Sequence, residues 1–341
     1  MKIHFVSLRK ASVVSAFAAV LLPATSHADW TSFSLPNLTS YFSSQAANLS
    51  DGQLIYGSSS SLSLQTTFGS STLTSFANAQ TWDPSGIALQ SDTLGVIGSG
   101  SLGSSALYTF NPSNPSTTFT PIPGVTIQNY GVLFHDSNSL LVIGGNGSLS
   151  NGFGKDSSLS YVTLNGGTNK VIIDNISEYS GGMALDANGD LYVATASSIG
   201  APKLYKFTAS QLSQAIAGST PLSISDGTFI TTLAASSSIA VDNLGRIWSA
   251  GYGLNGLDVF DPANGFMTNF IPADDNSSYV VSTFSDGTNS YVGYINTDDA
   301  ASAGSPVTYG YEKTVALVPE PASAALLLCG IAGLGLRRRR A

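Results

Sequence analysis

One phrase recurs along the middle of this chain and limits what the chain can fold into. An apolar strand runs into a turn of Asp, Asn and Gly, and a second apolar strand follows. The clearest copies are residues 182–194 (Gly-Met-Ala-Leu-Asp-Ala-Asn-Gly-Asp-Leu-Tyr-Val-Ala) and 238–250 (Ser-Ile-Ala-Val-Asp-Asn-Leu-Gly-Arg-Ile-Trp-Ser-Ala). Weaker copies lie at 86–98, 131–144 and 280–293, and a degraded one at 47–57. Asp, Asn and Gly supply the positive φ angles that a tight hairpin needs. The flanking strands are short and carry β-branched or aromatic residues. A third strand follows several of the phrases, at 107–112, 159–166, 203–207 and 257–262, and a fourth comes at 117–122, 170–173, 228–233 and 266–271. Four strands per unit, recurring at about 40 to 56 residues, predict the blades of an all-β propeller. Turns near 51, 91, 136, 186, 242 and 286 count six blades, with five or seven still open. A β-sandwich or jelly roll would also alternate strands and turns, but it would not repeat one two-part phrase in register. Residues 30–38 are placed to close the ring by joining the last unit. The one good helix candidate is 210–217, with Gly218 as its stop.

The two clearest phrases resemble the NHL and lactonase-like propellers, including the streptogramin-lyase and gluconolactonase groups. The residues that carry the resemblance are Ala184, Leu185 and Asp186 with Gly189, Asp190, Leu191, Tyr192 and Val193, and Ala240, Val241 and Asp242 with Gly245, Arg246, Ile247 and Trp248. These residues make a hairpin and a core strand in every such propeller, whatever it does. The resemblance implies, for a lactonase-like member, several acids and an Asn around the axis holding calcium. For a lyase-type member it implies a histidine pair. The body's only glutamates are Glu178 and Glu312, and it has one histidine, so neither pattern is complete.

The two ends of the sequence speak about routing. Lys2, Arg9 and Lys10 precede an apolar run at 11–22, and Ser26 and Ala28 put small residues where a signal peptidase reads. Cleavage between Ala28 and Asp29 is the expectation, making 1–28 a signal peptide. At the other end stand Val318, Pro319, Glu320 and Pro321, then an uncharged run of 15 residues at 322–336, then Arg337, Arg338, Arg339 and Arg340. As a helix that run spans roughly 22 Å at about 1.5 Å per residue, short of a hydrocarbon core of about 30 Å. The arginine stems can snorkel to the headgroups, and such a flank favours the cytoplasmic side. Pro319 and Pro321 keep Glu320 extended, the form a processing enzyme reads. The triplet, the apolar stretch and the basic cluster resemble the PEP-CTERM sorting signal of Gram-negative bacteria that make exopolysaccharide. That resemblance implies recognition and cleavage by an exosortase-type enzyme. It also implies anchoring in the inner membrane before processing, and a cell-surface or extracellular destination afterwards. The alternative is a plain C-terminal membrane anchor. The domain plan is therefore a signal peptide (1–28), a propeller (29–316) and a sorting signal with a transmembrane helix (317–341).

Between these ends the composition is narrow. Of 13 Lys+Arg and 21 Asp+Glu, three basic residues lie in the leader, and four basic residues and one acid in the tail. The body keeps six against 20, a net charge of −14. Such acidity without basic clusters argues against nucleic acid and anionic membrane surfaces as partners. The only cysteine, Cys329, lies in the tail, so the body has neither disulfides nor thiolate metal sites. His135 is the body's only histidine, which excludes a zinc site needing two histidines and a relay using a second one.

The remaining candidates are weak. Residues 98–103 (Gly-Ser-Gly-Ser-Leu-Gly) fit G-x-G-x-x-G, but a dinucleotide site needs a helix next, and a strand follows. The glycine-rich stretch at 144–154 is the matching inter-strand loop one unit later. His135, beside Asp136 at a repeat turn, has the chemistry of a general base, though a surface turn position accounts for it better. Asp274 with Asp275, and Asp298 with Asp299, are acidic pairs without the alternating spacing of a calcium loop. Asn37 and Asn48 begin glycosylation sequons, a match of no weight beside a bacterial sorting tail. No catalytic, cofactor or metal residue is assigned in the body, and calcium is the one cofactor kept open. The expectation is an exported surface or extracellular-matrix protein whose propeller binds or builds, with exopolysaccharide as a candidate ligand. The alternative is a secreted, calcium-dependent propeller hydrolase or lyase.

Overall fold

The computed structural model of the chain describes residues 31–35, 45–58, 61–78, 84–99, 106–125, 130–145, 157–177, 179–196, 201–251, 257–270, 277–297 and 307–314. All of them belong to one compact unit, Ala28–Ala316. The expected signal peptide (1–28) and the expected sorting tail with its transmembrane helix (317–341) lie outside the described residues. Among the described residues no helix is long and apolar enough to cross a membrane.

The unit is a six-bladed β-propeller. Blade 1 is Gln45–Asn48, Leu54–Ser58, Ser61–Gln65 and Leu73–Ser75, from the inner strand outwards. Blade 2 is Pro84–Ser91, Leu94–Ser99, Ala106–Phe110 and Thr120–Pro121. Blade 3 is Gly131–Asp136, Ser139–Gly145, Ser157–Thr163 and Asn169–Asp174. Blade 4 is Tyr179–Leu185, Leu191–Ala196, Lys203–Phe207 and Thr228–Thr232. Blade 5 is Ser238–Val241, Ile247–Ala250, Leu257–Asp261 and Phe266–Phe270. Blade 6 takes Ser277–Ser285, Ser290–Thr297 and Val307–Lys313 from the end of the unit, and Thr31–Leu35 from its beginning as outer strand. Thr31 pairs with Tyr311 and Leu35 with Val307, antiparallel, so the stretch expected to close the ring does so.

Within each blade the strands alternate in direction. The turns joining first to second and third to outer strands therefore share one face of the propeller, the turn face. The second-to-third loops and the blade-to-blade connections share the other, the loop face. The inner strands neighbour one another around the ring. At Gly182 they approach so closely that an added Cβ would collide with the Ile239 backbone nitrogen of blade 5.

The core is six apolar layers, one between each pair of neighbouring blades. Between blades 3 and 4, for example, Leu141, Ile143 and Leu159 meet Leu191, Val193 and Phe207, all at most 1 % exposed. Each such side chain contributes about 1.5–3 kcal/mol by leaving water. The third strands share one register. Leu107, Leu159, Leu204 and Leu257 face the following blade, while Phe110, Val162, Phe207 and Phe260 face the preceding one. The position between them holds Tyr108 and Tyr205, both packed towards the preceding blade, but Ser160 in blade 3 and Asp258 in blade 5. Ser160 is fully buried and its hydroxyl has no hydrogen-bond partner.

The outer strand of blade 2 is shorter than the sequence suggests, only Thr120–Pro121, because Pro121 and Pro123 bring no N–H to a ladder. The helix forms at Ala209–Ala217, one residue earlier than expected. Thr208 caps it: its hydroxyl accepts from Gln211 N at 3.2 Å, and Gln211 Oε1 accepts from Thr208 N at 2.9 Å. Leu212 and Ala215 enter the layer between blades 3 and 4. Lys170, on the outer strand of blade 3, donates from Nζ to Ala215 O at 2.8 Å and Ile216 O at 2.7 Å, and also to Gly218 O. It thereby satisfies carbonyls that a helix end leaves open. Beyond the helix, Leu222–Ser223 adds a fifth strand to blade 3, parallel to Ile173 and Asp174.

Two outcomes test this packing. Lys170→Ala is expected to lower stability to urea by about 1.5–3 kcal/mol, the range for hydrogen bonds to charged groups. Lys170→Met, which keeps the apolar stem, is expected to lose nearly as much, because the charge and not the stem holds the helix. Ser160→Ala removes an unpaired buried hydroxyl and is expected to leave stability unchanged or raise it by about 1 kcal/mol in the same measurement.

Candidate functional site

A propeller offers chemistry where its strand ends converge on the axis. The inner strands here read Gln-Ala-Ala-Asn, Pro-Ser-Gly-Ile-Ala-Leu-Gln-Ser, Gly-Val-Leu-Phe-His-Asp, Tyr-Ser-Gly-Gly-Met-Ala-Leu, Ser-Ile-Ala-Val and Ser-Ser-Tyr-Val-Val-Ser-Thr-Phe-Ser. Asp136, the last residue of the blade 3 strand, is the only acid in them, and it lies at the turn face. The hydroxyls of these strands tie blade to blade. Ser238 Oγ donates to Val281 O at 3.2 Å, and Thr283 Oγ1 donates to Val241 O at 3.1 Å. Among the described residues no group of three His, Cys, Asp or Glu is placed to hold a metal ion.

The acids of the repeating phrase have another task. Every first turn carries one: Asp51, Asp92, Asp136, Asp186, Asp242 and Asp286. In three blades the pattern is complete. Oδ1 of Asp186 accepts from Asn188 N (2.8 Å) and Asp190 N (3.0 Å). Oδ1 of Asp242 accepts from Leu244 N and Arg246 N, both at 2.9 Å. Oδ1 of Asp286 accepts from Thr288 N (2.8 Å) and Asn289 N (2.7 Å). Gly189, Gly245 and Gly287, at φ of 80°, 79° and 84°, let the chain turn beneath each carboxylate. The second oxygen of Asp242 or Asp286 holds a side chain on the next strand. Asp242 Oδ2 takes Arg246 Nε at 2.6 Å and Trp248 Nε1 at 2.9 Å, all buried. Asp286 Oδ2 takes Tyr291 OH at 2.7 Å. In blade 4, Lys206 Nζ lies 2.7 Å from Asp190 Oδ2 and 3.9 Å from Asp186 Oδ2.

The electrostatics follow these contacts. Lys206 beside it, with the Ala209 N–H, holds the Asp190 carboxyl below its usual range, and Asp190 in turn pushes the Lys206 amine up. The Asn289 N–H, the Tyr291 hydroxyl and the Thr288 N–H hold Asp286 well below the carboxylate range. Burial pushes the Tyr309 phenol up. These shifts belong to turn clasps and a buried core phenol. None of them pairs a base with a nucleophile.

The sequence candidates fall as follows. His135 is half-buried, one residue before the blade 3 turn, with its ring edge-on to Tyr161 at 5.8 Å. Gly98 and Ser99 end the second strand of blade 2, and Ala106 opens the third, so the next described element after the glycine-rich motif is a strand. Gly144 and Gly145 end the second strand of blade 3. Asn48 Oδ1 accepts from Tyr309 OH at 3.1 Å and Ser282 Oγ at 3.4 Å, and its Nδ2 donates to Gly52 O at 3.0 Å. This amide is part of the seam between blades 1 and 6 and is not presented for modification. Glu312 lies in the third strand of blade 6, opposite Val292. Glu178, Asn37, Asp274, Asp275, Asp298, Asp299, Ala28, Asp29, Pro319, Glu320, Pro321 and Arg337 to Arg340 lie outside the described residues. One buried carboxylate escaped the sequence reading. Asp258, 5 % exposed, accepts Ala234 N at 2.8 Å and so fixes the connection from blade 4 to blade 5. Its signal was present, since an acid stands where sister strands carry Tyr108 and Tyr205.

No protein-family model matches the chain, and no curated protein does. Solved structures do. A gluconolactonase of Xanthomonas campestris aligns at 11% identity over 83% of this chain and 89% of that one, with a TM-score of 0.60. A PQQ-bound aldose sugar dehydrogenase of Streptomyces coelicolor aligns at 16% identity over 84% and 99%, TM-score 0.56. A calcium-binding regucalcin of Agrobacterium tumefaciens aligns at 14% over 79% and 90%, TM-score 0.56. At such identities the likeness is one of fold, and it supports the propeller body.

The clasps yield two expected outcomes. Asp242→Ala strands the buried Arg246 and should cost about 3–5 kcal/mol in denaturant unfolding, whereas Asp286→Ala, at an exposed turn, should cost far less. The pH dependence has a fixed sign. Asp286 has a depressed pKa in the fold, so its contribution is full above the unfolded carboxylate range near about 3.9 and fades as pH falls. Melting curves of Asp286→Asn and the parent protein should therefore differ at pH 6, and the difference should shrink steadily as pH falls below about 3.9.

Proposed function

We propose that the chain is an exported surface or extracellular-matrix protein, sorted through a PEP-CTERM tail, whose propeller acts as a binding or structural module. The observation that carries this is the tail itself: Pro319, Glu320 and Pro321, the apolar run at 322–336, and Arg337, Arg338, Arg339 and Arg340. It follows shortly after the last propeller strand, Val307–Lys313. In this proposal a signal peptidase cuts between Ala28 and Asp29. The tail holds the protein in the inner membrane, and an exosortase-type enzyme then releases it to the surface or to the biofilm matrix. The acidic body disfavours nucleic acid, and a neutral exopolysaccharide is the ligand class to try first. Intact mass and membrane fractionation from the native host test the sorting. Loss of the leader together with everything after about Pro321 is the expected result. Retention of 322–341 in the membrane fraction would reduce the tail to an anchor.

A second proposal is a secreted propeller hydrolase or lyase that uses calcium. Supporting it are the fold neighbours, which include a gluconolactonase and a calcium-binding regucalcin. Calcium-dependent opening of sugar lactones by the purified protein, abolished by chelator, would establish it. No turnover of a lactone panel with calcium present would remove it.

A further inference from the structure

The seam between the last and first blades holds its middle strand from every side. Val307–Lys313 pairs along its length with Ser290–Thr297, and on its other edge with Thr31–Leu35. Two of its side chains reach into blade 1. Tyr309 OH donates to Asn48 Oδ1, and the Tyr311 ring lies 4.8 Å from that of Phe68. Phe68 also stands edge-on to Phe284 at 5.8 Å and Tyr291 at 5.4 Å, which fixes it to the rest of blade 6. Immediately after the strand, Thr314 N donates to Ser290 O at 2.8 Å. Its hydroxyl donates to Asn243 Oδ1, on the first turn of blade 5, at 2.8 Å. Because Thr31 pairs with Tyr311, both flanks of the propeller leave the same blade at the turn face.

We propose that the last blade is a shear clamp, built to bear load applied through the residues that follow Thr314. The proposal rests on the C-terminal attachment proposed above for its purpose, and on the ladders alone for its mechanics. In antiparallel ladders the hydrogen bonds run perpendicular to the strands. A pull on the chain beyond Thr314 runs along the strand axis, so both ladders, the Tyr309 bond and the Thr314 clasp take the load together. A pull that separates the two chain ends instead opens the ladder one pair at a time, beginning at Thr31 and Tyr311. Resistance to such pulling is a matter of the unfolding barrier and not of equilibrium stability.

Force spectroscopy on the full chain in detergent tests this. Ala201→Cys gives an exposed handle on the loop face, and Cys329→Ser removes the only other thiol. Pulling residue 201 against the C-terminus is expected to need several-fold more force than pulling the N-terminus against the C-terminus. Equal forces in the two geometries would overturn the clamp. Thr314→Val, which leaves the ladders in place, is expected to lower the force in the first geometry and not in the second. An unchanged force in both would remove Thr314 from the device. The measurement is made on purified protein, so a failure of sorting in the host would leave its outcome untouched, and the two proposals fail separately.

Discussion

A ring of blades is stable only if it closes, and this ring closes without a covalent link. Five pairs between Thr31–Leu35 and Val307–Lys313 join the beginning of the propeller to its end. Every apolar layer depends on that closure, because each lies between two neighbouring blades. Were blade 6 to open, Tyr309, Ile295 and Tyr56 would lose their cover at once, and the exposed flank of blade 1 would follow. The seam therefore carries contacts of several kinds at one place: the strand ladder, the Asn48 amide and the Phe68 ring. The chain has no body cysteine with which to do the same work.

The placement of charge tells a consistent story. The turn aspartates could be mistaken for ligands when read as a list of acids. In space they form a ring around one face; five are engaged with their own hairpins, Asp92 instead reaches Ser50 in the turn of blade 1, and the buried one at blade 5 is matched by an arginine and an indole. The inner strands, where a propeller does chemistry, are instead built from small, apolar and hydroxyl residues that bind each blade to the next. This separates the part of the molecule that explains its stability from the part that would explain a ligand.

Much of this was legible in the sequence. The Asp-Asn-Gly phrase located the first turn of each blade, because a tight hairpin requires positive φ and few residues supply it. The closing strand was legible because a ring leaves one strand position to fill, and residues 30–38 were free to fill it. The helix end was legible in Gly218, but its start was placed one residue late, since the capping box of Thr208 and Gln211 needs the side chains to be seen meeting. The fifth strand of blade 3 was not legible: two residues, Leu222 and Ser223, have no periodicity, and only the docking of the helix puts them beside Ile173. Asp258 was only partly legible for a related reason. An acid in place of Tyr108 and Tyr205 marks it out, but its partner Ala234 is a backbone group 24 residues away.

That short fifth strand has a consequence for life in a crowd. Outer strands are open edges, and open edges invite pairing with another molecule. Leu222–Ser223 covers part of the longest hydrogen-bonding edge that blade 3 would otherwise show, and the helix before it fills the adjoining rim. On blade 2 the outer strand is only two residues long and contains Pro121. Molecules packed side by side at blades 2 and 3 would find little rim ladder to extend, so contacts at that part of the rim can form without fusing into a shared sheet.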